Sequence, residues 1–205
     1  RHGYAALDIQ VHGNPVDALF YETLPDDVSR DPLKRIHYDV YLNALQGARV
    51  ARMLPGTDAR RFAVLGGSQG GRLSVVVAAL DPAVRAAIPC ITHYAYRPWN
   101  RWVAKLNIDL KNGSEHFSGE TPSPRINPSD AYFDVANFAT RVKTPVLMNM
   151  GLTDPISPAT CVYSVYLGLA GPKEIIPLPN TAHDWSPAFD RHAWRWLDAR
   201  LRAAD

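Results

Sequence analysis

A glycine-rich hexapeptide, GGSQGG at residues 66–71, lies between an apolar run at 62–65 and a second apolar run at 73–80. The first run has the length of a buried strand, and the second fits a helix. A serine between glycines at such a turn is typical of a nucleophile elbow, where the neighbours must leave room for a strained backbone. The pattern predicts that Ser68 stands exposed above a sheet, with the N–H of Gln69 placed to stabilise an oxyanion. The alternative is a glycine-rich turn that only packs a strand on a helix.

Apolar runs of strand length alternate with helical patterns along this chain of 205 residues. The alternation favours parallel strands joined by helical crossovers, and the lack of polar alternation within the runs indicates a sheet covered on both faces. We predict one α/β domain over residues 1–205. Strands are expected near 4–11, 61–65, 86–91, 145–150 and 174–178, and helices near 33–51, 70–80, 158–169 and 186–201.

The segment 92–129 interrupts this alternation and is rich in Pro, Asn, Ser and aromatic residues. A connection of this length is usually either functional or disordered. Its aromatic residues favour a packed, lid-like insertion over the sheet rather than a free linker. They are Tyr94, Tyr96, Trp99, Trp102 and Phe117.

A serine hydroxyl is a poor nucleophile at neutral pH, so Ser68 needs a histidine as base and a carboxylate that orients the histidine. On a sheet of this kind they follow later strands, in the order serine, acid, histidine. Asp154 comes just after the expected strand at 145–150, and His183 lies between the last expected strand and the last helix. Both fall at carboxyl ends of strands, where open sheets build their sites. The sequence predicts a triad of Ser68, Asp154 and His183.

Each assignment has a structural alternative. Asp154 is also placed to cap the helix expected from residue 158. Asp184 is the alternative acid, but it is badly placed to bind its own neighbour His183, and we expect it to cap the last helix. Structural roles are expected for the remaining histidines: His12 and His93 follow predicted strands, and His2, His37, His116 and His192 fit surface or helix-face positions.

Composition argues against several other classes of function. The 22 Lys and Arg residues against 20 Asp and Glu residues give a net charge of +2 without clustering, so no nucleic-acid surface is indicated. No apolar stretch approaches the roughly 18 residues of a membrane span. There is no H-E-x-x-H and no paired CxxC, so neither a metal site nor a cofactor is expected. Cys90 and Cys161 are expected to be buried thiols, with a disulfide as the alternative.

Three further motifs accompany the glycine-rich turn: YFDVANFA at 132–139, GLTD at 151–154 with Pro158, and AGPKEI at 170–175. Together the four resemble the acetyl xylan esterase and cephalosporin C deacetylase family, carbohydrate esterase family seven. The resemblance implies an α/β-hydrolase that removes acetyl groups from acetylated sugars such as xylo-oligosaccharides, or from related small acetyl esters. It implies a hexamer with active sites facing an internal cavity. The family's triad carries over onto Ser68, Asp154 and His183, and its oxyanion donor onto Gln69.

The chain departs from that family in two places. The family usually carries Arg-Gly-Gln-Gly after the strand that matches 4–9, whereas this chain has QVHG at 10–13. The family's second oxyanion N–H comes from a loop upstream of that strand, and this chain starts at Arg1 without a matching segment. We therefore expect a fragment or processed form that lacks the early strands and holds one oxyanion donor of two. Loss of one donor typically lowers the rate by about 10² to 10³.

Three functional hypotheses stand at this point. The first is deacetylation of carbohydrates, in which aromatic residues of 92–129 close a tight acetyl pocket and stack on a sugar ring. The second is another α/β-hydrolase, such as a carboxylesterase, lactonase or peptidase, because fold and triad do not fix the acyl or leaving group. The third is a truncated, noncatalytic module that binds carbohydrate. The sequence does not decide whether the protein is exported or cytoplasmic, and the cytoplasm is favoured.

Overall fold

The computed structural model describes residues 3–9, 11, 31–34, 36–95 and 129–202. Four parallel strands form one sheet, paired in the order in which they follow along the chain. They are β1 (Ala63–Gly67), β2 (Ala86–Cys90), β3 (Val146–Gly151) and β4 (Lys173–Leu178). The register places Leu65 opposite Ile88 and Met148 opposite Ile175. The predicted α/β class is confirmed.

Helices precede, connect and follow the strands. They are α1 (Ile36–Met53), α2 (Gln69–Leu80), the short α3 (Asp130–Phe133) and α4 (Val135–Ala139), α5 (Ala159–Gly168) and α6 (Pro187–Leu201). A 3₁₀ turn at Pro32–Lys34 comes before α1. The four helices expected from periodicity are therefore present, within a few residues of their expected bounds. No helix in the described ranges combines the length and apolarity needed to cross a membrane.

Two apolar clusters cover the two faces of the sheet. On one face Val40 of α1, Val75 of α2 and Val162 of α5 belong to a single buried cluster. On the other face Phe189 and Trp196 of α6 pack in a second cluster with residues of β2 and β3. All five residues of β2 are buried. Because both faces are covered, these strands need no polar alternation.

The strand expected at 4–11 is absent from the described part of that segment. Residues 4–9 have no regular secondary structure, and β1 forms the edge of the sheet among the described strands. A strand needs a neighbouring backbone to complete its hydrogen bonds. Here the contacts are made by side chains instead, since the Tyr4 hydroxyl donates to Asp198 of α6 at 2.7 Å and Ile9 packs on Gly47 of α1. The prediction was wrong because apolar composition alone does not supply a pairing partner.

Predictions for the cysteines, the histidines and the insertion can also be compared with the structure. Cys90 and Cys161 are buried and do not form a disulfide, as predicted. His37 lies on the buried face of α1, with its ring 4.4 Å from that of Tyr94 between centroids. Most of the expected lid lies outside the described residues, which stop at Ala95 and resume at Ser129. Also outside them are Tyr96, Trp99, Trp102, Phe117, His2, His12 and His116.

Candidate active site

Ser68 occupies the turn between the end of β1 and the start of α2, and its backbone is strained. Its φ of 54° and ψ of −114° lie where residues with a side chain are rarely found. The glycines around it allow close backbone approach. A Cβ on Gly66 would lie 2.6 Å from the carbonyl carbon of Gly70, and one on Gly71 would lie 2.5 Å from the carbonyl oxygen of Cys90. The glycine-rich turn therefore has the geometry of a nucleophile elbow.

Hydrogen bonds hold the backbone of Ser68 in this conformation. Its N–H donates to the carbonyl of Cys90, at the end of β2, over 3.0 Å. Its carbonyl accepts from the N–H of Arg72 in α2 at 3.0 Å and from the N–H of His93 at 3.2 Å. The serine is thus tied both to its own helix and to the segment after the neighbouring strand. These bonds stabilise the strained turn.

The structure brings the three predicted triad residues together, although they come from three loops. The Oγ of Ser68 lies 2.8 Å from Nε2 of His183, and Nδ1 of His183 lies 2.8 Å from Oδ2 of Asp154. With the proton on Nδ1, the imidazole donates to the carboxylate and its Nε2 accepts from the serine hydroxyl. This arrangement has the geometry of the relay in which a buried acid orients a histidine and the histidine deprotonates a serine.

Asp154 is fixed by its own loop as well as by His183. Its side chain is fully buried, and its Oδ1 accepts hydrogen bonds from the backbone N–H groups of Ile156 and Ser157, each at 2.8 Å. The N-cap position of α5 is Pro158, so the carboxylate bonds the turn before the helix rather than capping the helix itself. One oxygen is thereby used by the turn, and the other is left to the imidazole.

The acid loop and the histidine loop are joined directly through their backbones. The N–H of Thr153 donates to the carbonyl of Thr181 at 3.3 Å, and the N–H of Leu152 donates to the carbonyl of Leu178 at 3.1 Å. These bonds continue the pairing of β3 with β4 beyond the ends of the strands. The separation between Asp154 and His183 is therefore set by the sheet.

Gln69 is the first residue of α2 and directly follows Ser68. The first N–H groups of a helix have no acceptor within it, and the helix dipole adds positive potential at this end. A developing negative charge near Ser68 would therefore meet a favourable field. The role of the Gln69 N–H as an oxyanion donor stays a prediction.

The other candidates occupy structural positions. Asp184 does not cap the last helix: Ser186 does, by accepting from the N–H of Phe189 at 3.3 Å, because α6 begins at Pro187 and Asp184 stands two residues too early. The Asp184 carboxylate accepts from the N–H of Trp185 at 2.7 Å. His93 contributes its backbone N–H to Ser68, while its ring makes an edge contact with Tyr94.

Three side chains near the site were missed from the sequence. Asn149 is buried in β3, and its Oδ1 accepts from the N–H of Ile91 at 2.9 Å. The ring of Trp185 lies 3.4 Å from where a Cβ of Gly67 would be. The guanidinium of Arg72, also buried, lies 4.9 Å from the ring centroid of Tyr94. Of these three residues, only Asn149 could have been noticed in the sequence, because it is an asparagine within an apolar run.

Comparison with known proteins gives a consistent result. The model of the acetyl xylan esterase (AXE1) family matches residues 28–200. Acetyl esterase Axe7A of Xylanibacter ruminicola is 30% identical over 216 residues, which cover 98% of this chain and 48% of the relative. Among solved structures, the acetyl xylan esterase of Paenibacillus sp. R4 has a TM-score of 0.70 at 28% identity, covering 83% of this chain and 55% of that one.

Acetyl xylan esterase 1 of Thermoanaerobacterium sp. JW/SL YS485 is similar to the same degree. Its TM-score is 0.71 at 28% identity, with 87% of this chain and 56% of that chain covered. This chain spans about half the length of the relatives that it matches. Family match, sequence identity and the superimposed sheet and helices agree, and the chain belongs to the acetyl xylan esterase family, with the α/β-hydrolase fold.

Proposed function

We propose that this chain carries the catalytic centre of a serine esterase that removes acetyl groups from acetylated carbohydrates. The observation that most supports the proposal is the relay of two 2.8 Å contacts from Ser68 through His183 to Asp154. It joins a serine on a strained turn to a buried acid, which is the arrangement that acyl transfer to serine requires. Family membership supports the choice of an acetyl group and a sugar.

In the first half of the reaction Nε2 of His183 takes the proton of the Ser68 hydroxyl as Oγ attacks the acetyl carbonyl carbon. The carbonyl oxygen becomes an oxyanion, and the N–H of Gln69 donates to it. The tetrahedral intermediate then collapses. The bond to the sugar oxygen breaks, and that oxygen leaves as a hydroxyl with the proton from Nε2, so that an acetyl group remains on Ser68.

In the second half water repeats the attack. Nε2 of His183 deprotonates the water as its oxygen adds to the acetyl carbon, the oxyanion forms again, and collapse releases acetate while Oγ regains its proton. Asp154 holds the ring orientation in both halves and stabilises the imidazolium that forms after each proton transfer. Because Ile156 and Ser157 bond one carboxylate oxygen, the other stays aimed at Nδ1.

The proposal also includes a substrate class, acetylated xylo-oligosaccharides. Axe7A is described as an acetyl esterase and the two solved structures as acetyl xylan esterases, which favours acetylated xylo-oligosaccharides over long-chain esters. A homo-oligomer, a hexamer by resemblance to the family, belongs to the same proposal. Sedimentation velocity of the purified protein tests it, and a purely monomeric species at working concentrations would count against it.

Hydrolysis of 4-nitrophenyl acetate, butyrate and octanoate tests the proposal. It is run on the 205-residue chain and on the polypeptide as its gene encodes it, each with Ser68→Ala and a matched Ser164→Ala variant. Ser164 lies on α5, where its hydroxyl donates to the carbonyl of Cys161. We expect activity on acetate to exceed that on octanoate, to vanish in Ser68→Ala and to persist in Ser164→Ala.

The alternatives give different results in the same assay. Preference for the butyrate or octanoate ester would replace the deacetylase proposal by a general carboxylesterase. Absence of hydrolysis by both forms of the protein would favour the noncatalytic carbohydrate-binding module. If the acetate ester is hydrolysed, release of acetate from acetylated xylo-oligosaccharides is the next measurement, and none would restrict the proposal to small acetyl esters.

A further inference from the structure

Arg72 lies in the first turn of α2, and its side chain is buried although it carries a charge. Its Cζ lies 4.9 Å from the ring centroid of Tyr94 and 5.5 Å from that of Tyr41 in α1. In the part of the chain that the structure describes, no carboxylate forms an ion pair with the guanidinium, and its Nε has no hydrogen-bond partner. The charge is therefore stabilised by aromatic rings instead of by an anion.

Folding alone gives no reason for an arginine at this position. Removing a guanidinium from water is unfavourable unless the charge is paired, and contacts with aromatic rings offset only part of that effect. A methionine would fill much of the same space without the charge. Replacement of buried charges by apolar side chains of similar volume is often neutral or stabilising. The buried guanidinium of Arg72 therefore points to a role in the site that begins four residues earlier, at Ser68.

Tyr94, on which Arg72 packs, has a strained backbone. Its φ of 63° lies in the left-handed region, which is unfavourable for an aromatic residue. Its buried ring also contacts the ring of His37 in α1, with 4.4 Å between the centroids. Its carbonyl accepts from the N–H of Val135, at the start of α4, over 3.2 Å. Contacts of the ring and of the backbone therefore hold Tyr94 in this conformation.

The strained tyrosine directly follows a residue that bonds the nucleophile. The N–H of His93 donates to the carbonyl of Ser68 at 3.2 Å, and the N–H of Arg72 donates to the same carbonyl at 3.0 Å. The backbone of Arg72 is thus one of two donors to Ser68, while its side chain packs on Tyr94, the neighbour of the second donor. Arg72 therefore connects the two groups that hold the Ser68 carbonyl.

We propose that Arg72 is a positioning residue for Ser68. Its guanidinium packs on the ring of Tyr94 and fixes the strained backbone there, which keeps the N–H of His93 on the Ser68 carbonyl. A fixed Ser68 backbone in turn keeps Oγ at 2.8 Å from Nε2 of His183. The inference rests on the proposed function, because it takes Ser68 as the nucleophile. Arg72 acts through the backbone of Ser68 and is assigned no contact with the substrate.

Arg72→Met separates this role from packing, because methionine keeps an apolar stem and removes the guanidinium. In the polypeptide that the gene encodes, kcat on 4-nitrophenyl acetate should fall by about 10- to 100-fold with little change in KM. The urea midpoint should stay the same or rise. Arg200→Met is the matched control: Arg200 also lies over an aromatic ring, 3.7 Å from the centroid of Trp196, but near the end of α6. Its kcat should stay close to that of the unsubstituted protein.

Two further readouts do not depend on hydrolysis of an acetyl ester. Amide hydrogen exchange of His93 should become faster by about an order of magnitude in Arg72→Met, while the Ile88 amide of β2 stays slow. A small fluorophosphonate reports the reactivity of Ser68, whose Oγ displaces fluoride from phosphorus, and its rate should fall in parallel with kcat. If the unsubstituted protein reacts with the fluorophosphonate but hydrolyses no acetyl ester, the proposed function fails, and these two readouts still decide the inference.

A double-mutant cycle shows whether Arg72 acts through Tyr94. Tyr94→Leu removes the ring, and the double variant with Arg72→Met should lose little more activity than either single variant, because one contact is broken in all three. Arg72→Lys keeps the charge without the planar guanidinium and should recover part of the rate; it replaces Arg72→Met in the cycle if that variant does not fold. Fold-losses that multiply in the double variant, an unchanged kcat in Arg72→Met, or an equal loss in Arg200→Met would each overturn the inference.

Discussion

Asn149 of β3 and Ile91, which directly follows β2, form a buried hydrogen bond in which the Asn149 Oδ1 accepts from the Ile91 backbone N–H at 2.9 Å. Ile91 has a φ of 38°, which is unfavourable for a β-branched residue. The residue before it, Cys90, accepts the N–H of Ser68. Asn149 therefore stabilises the strained residue that follows β2, next to the Cys90 carbonyl on which the backbone of Ser68 is held.

Replacing Asn149 by alanine is expected to weaken both stability and turnover. The N–H of Ile91 would be left buried without this acceptor, which destabilises a protein by about 1–3 kcal/mol. Because Asn149 supports the Ser68 backbone, kcat on 4-nitrophenyl acetate should fall while KM changes little. Urea denaturation and steady-state kinetics measure the two effects.

Asn137→Ala provides the control for that substitution. The Asn137 side chain donates to the carbonyl of Ala131 at an exposed position, and surface changes of this kind usually stay within about 0.5 kcal/mol. Equal losses in the free energy of unfolding would show that the buried Asn149 contact contributes no more to stability than the exposed Asn137 contact. An unchanged kcat in a destabilised Asn149→Ala protein would separate folding from catalysis.

Asp154→Asn is expected to reduce kcat strongly without unfolding the protein. An amide in place of the carboxylate favours the wrong tautomer of His183, and in Ser-His-Asp enzymes this change lowers kcat by about 10⁴. Asp184→Asn is the matched control, because Asp184 bonds only the N–H of the next residue in the described contacts. If Asp184→Asn lost as much activity as Asp154→Asn, the assignment of the acid would be wrong.

The elements that the sequence predicted well are those governed by local pattern. The glycine-rich turn at Ser68 and the apolar strands before Asp154 and His183 are contiguous stretches, and parallel strands bring their carboxyl ends together at one edge of the sheet. The three loops could therefore be placed near one another without any knowledge of tertiary contacts. The 2.8 Å relay is the detailed result of that arrangement.

Two of the three misses have a different physical origin, because they depend on partners distant in sequence, whereas the cap of α6 was decided locally. Residues 4–9 have strand composition, but a strand exists only where another backbone pairs with it. Asp184 and Ser186 are both good capping residues, and the choice between them was made by Pro187, which fixes the first turn of α6. Asn149 and Ile91 are 58 positions apart in the sequence, and hydrophobic periodicity gives no information on contacts between residues so far apart.

Trp185 is expected to position the histidine loop. It comes two residues after His183, its ring lies against Gly67, and its Nε1 donates to Asp190 of α6. Trp185→Ala removes both contacts and frees the loop, and small misplacements of catalytic groups lower rates by up to about 10². Trp185→Phe keeps a smaller aromatic ring in the loop and loses the hydrogen bond, so its kcat should fall less than that of Trp185→Ala. A rise in KM with unchanged kcat in both variants would instead indicate direct contact with the substrate.

Cys90 is expected to make stability fall at alkaline pH. Burial, with a smaller effect of the negative charge of Asp190, raises the pKa of its thiol from 9.0 to about 12. Between these values the unfolded chain releases the thiol proton and the folded chain keeps it, so the stabilisation is complete below pH 9.0 and is lost as the pH rises. Cys90→Ala removes the titrating group without a polar replacement, and Cys90→Ser removes it with one. Urea denaturation at about pH 8 and about pH 10.5 should show a smaller loss of stability in both variants than in the natural chain. Parallel losses in all three proteins would mean that other groups control the alkaline limit.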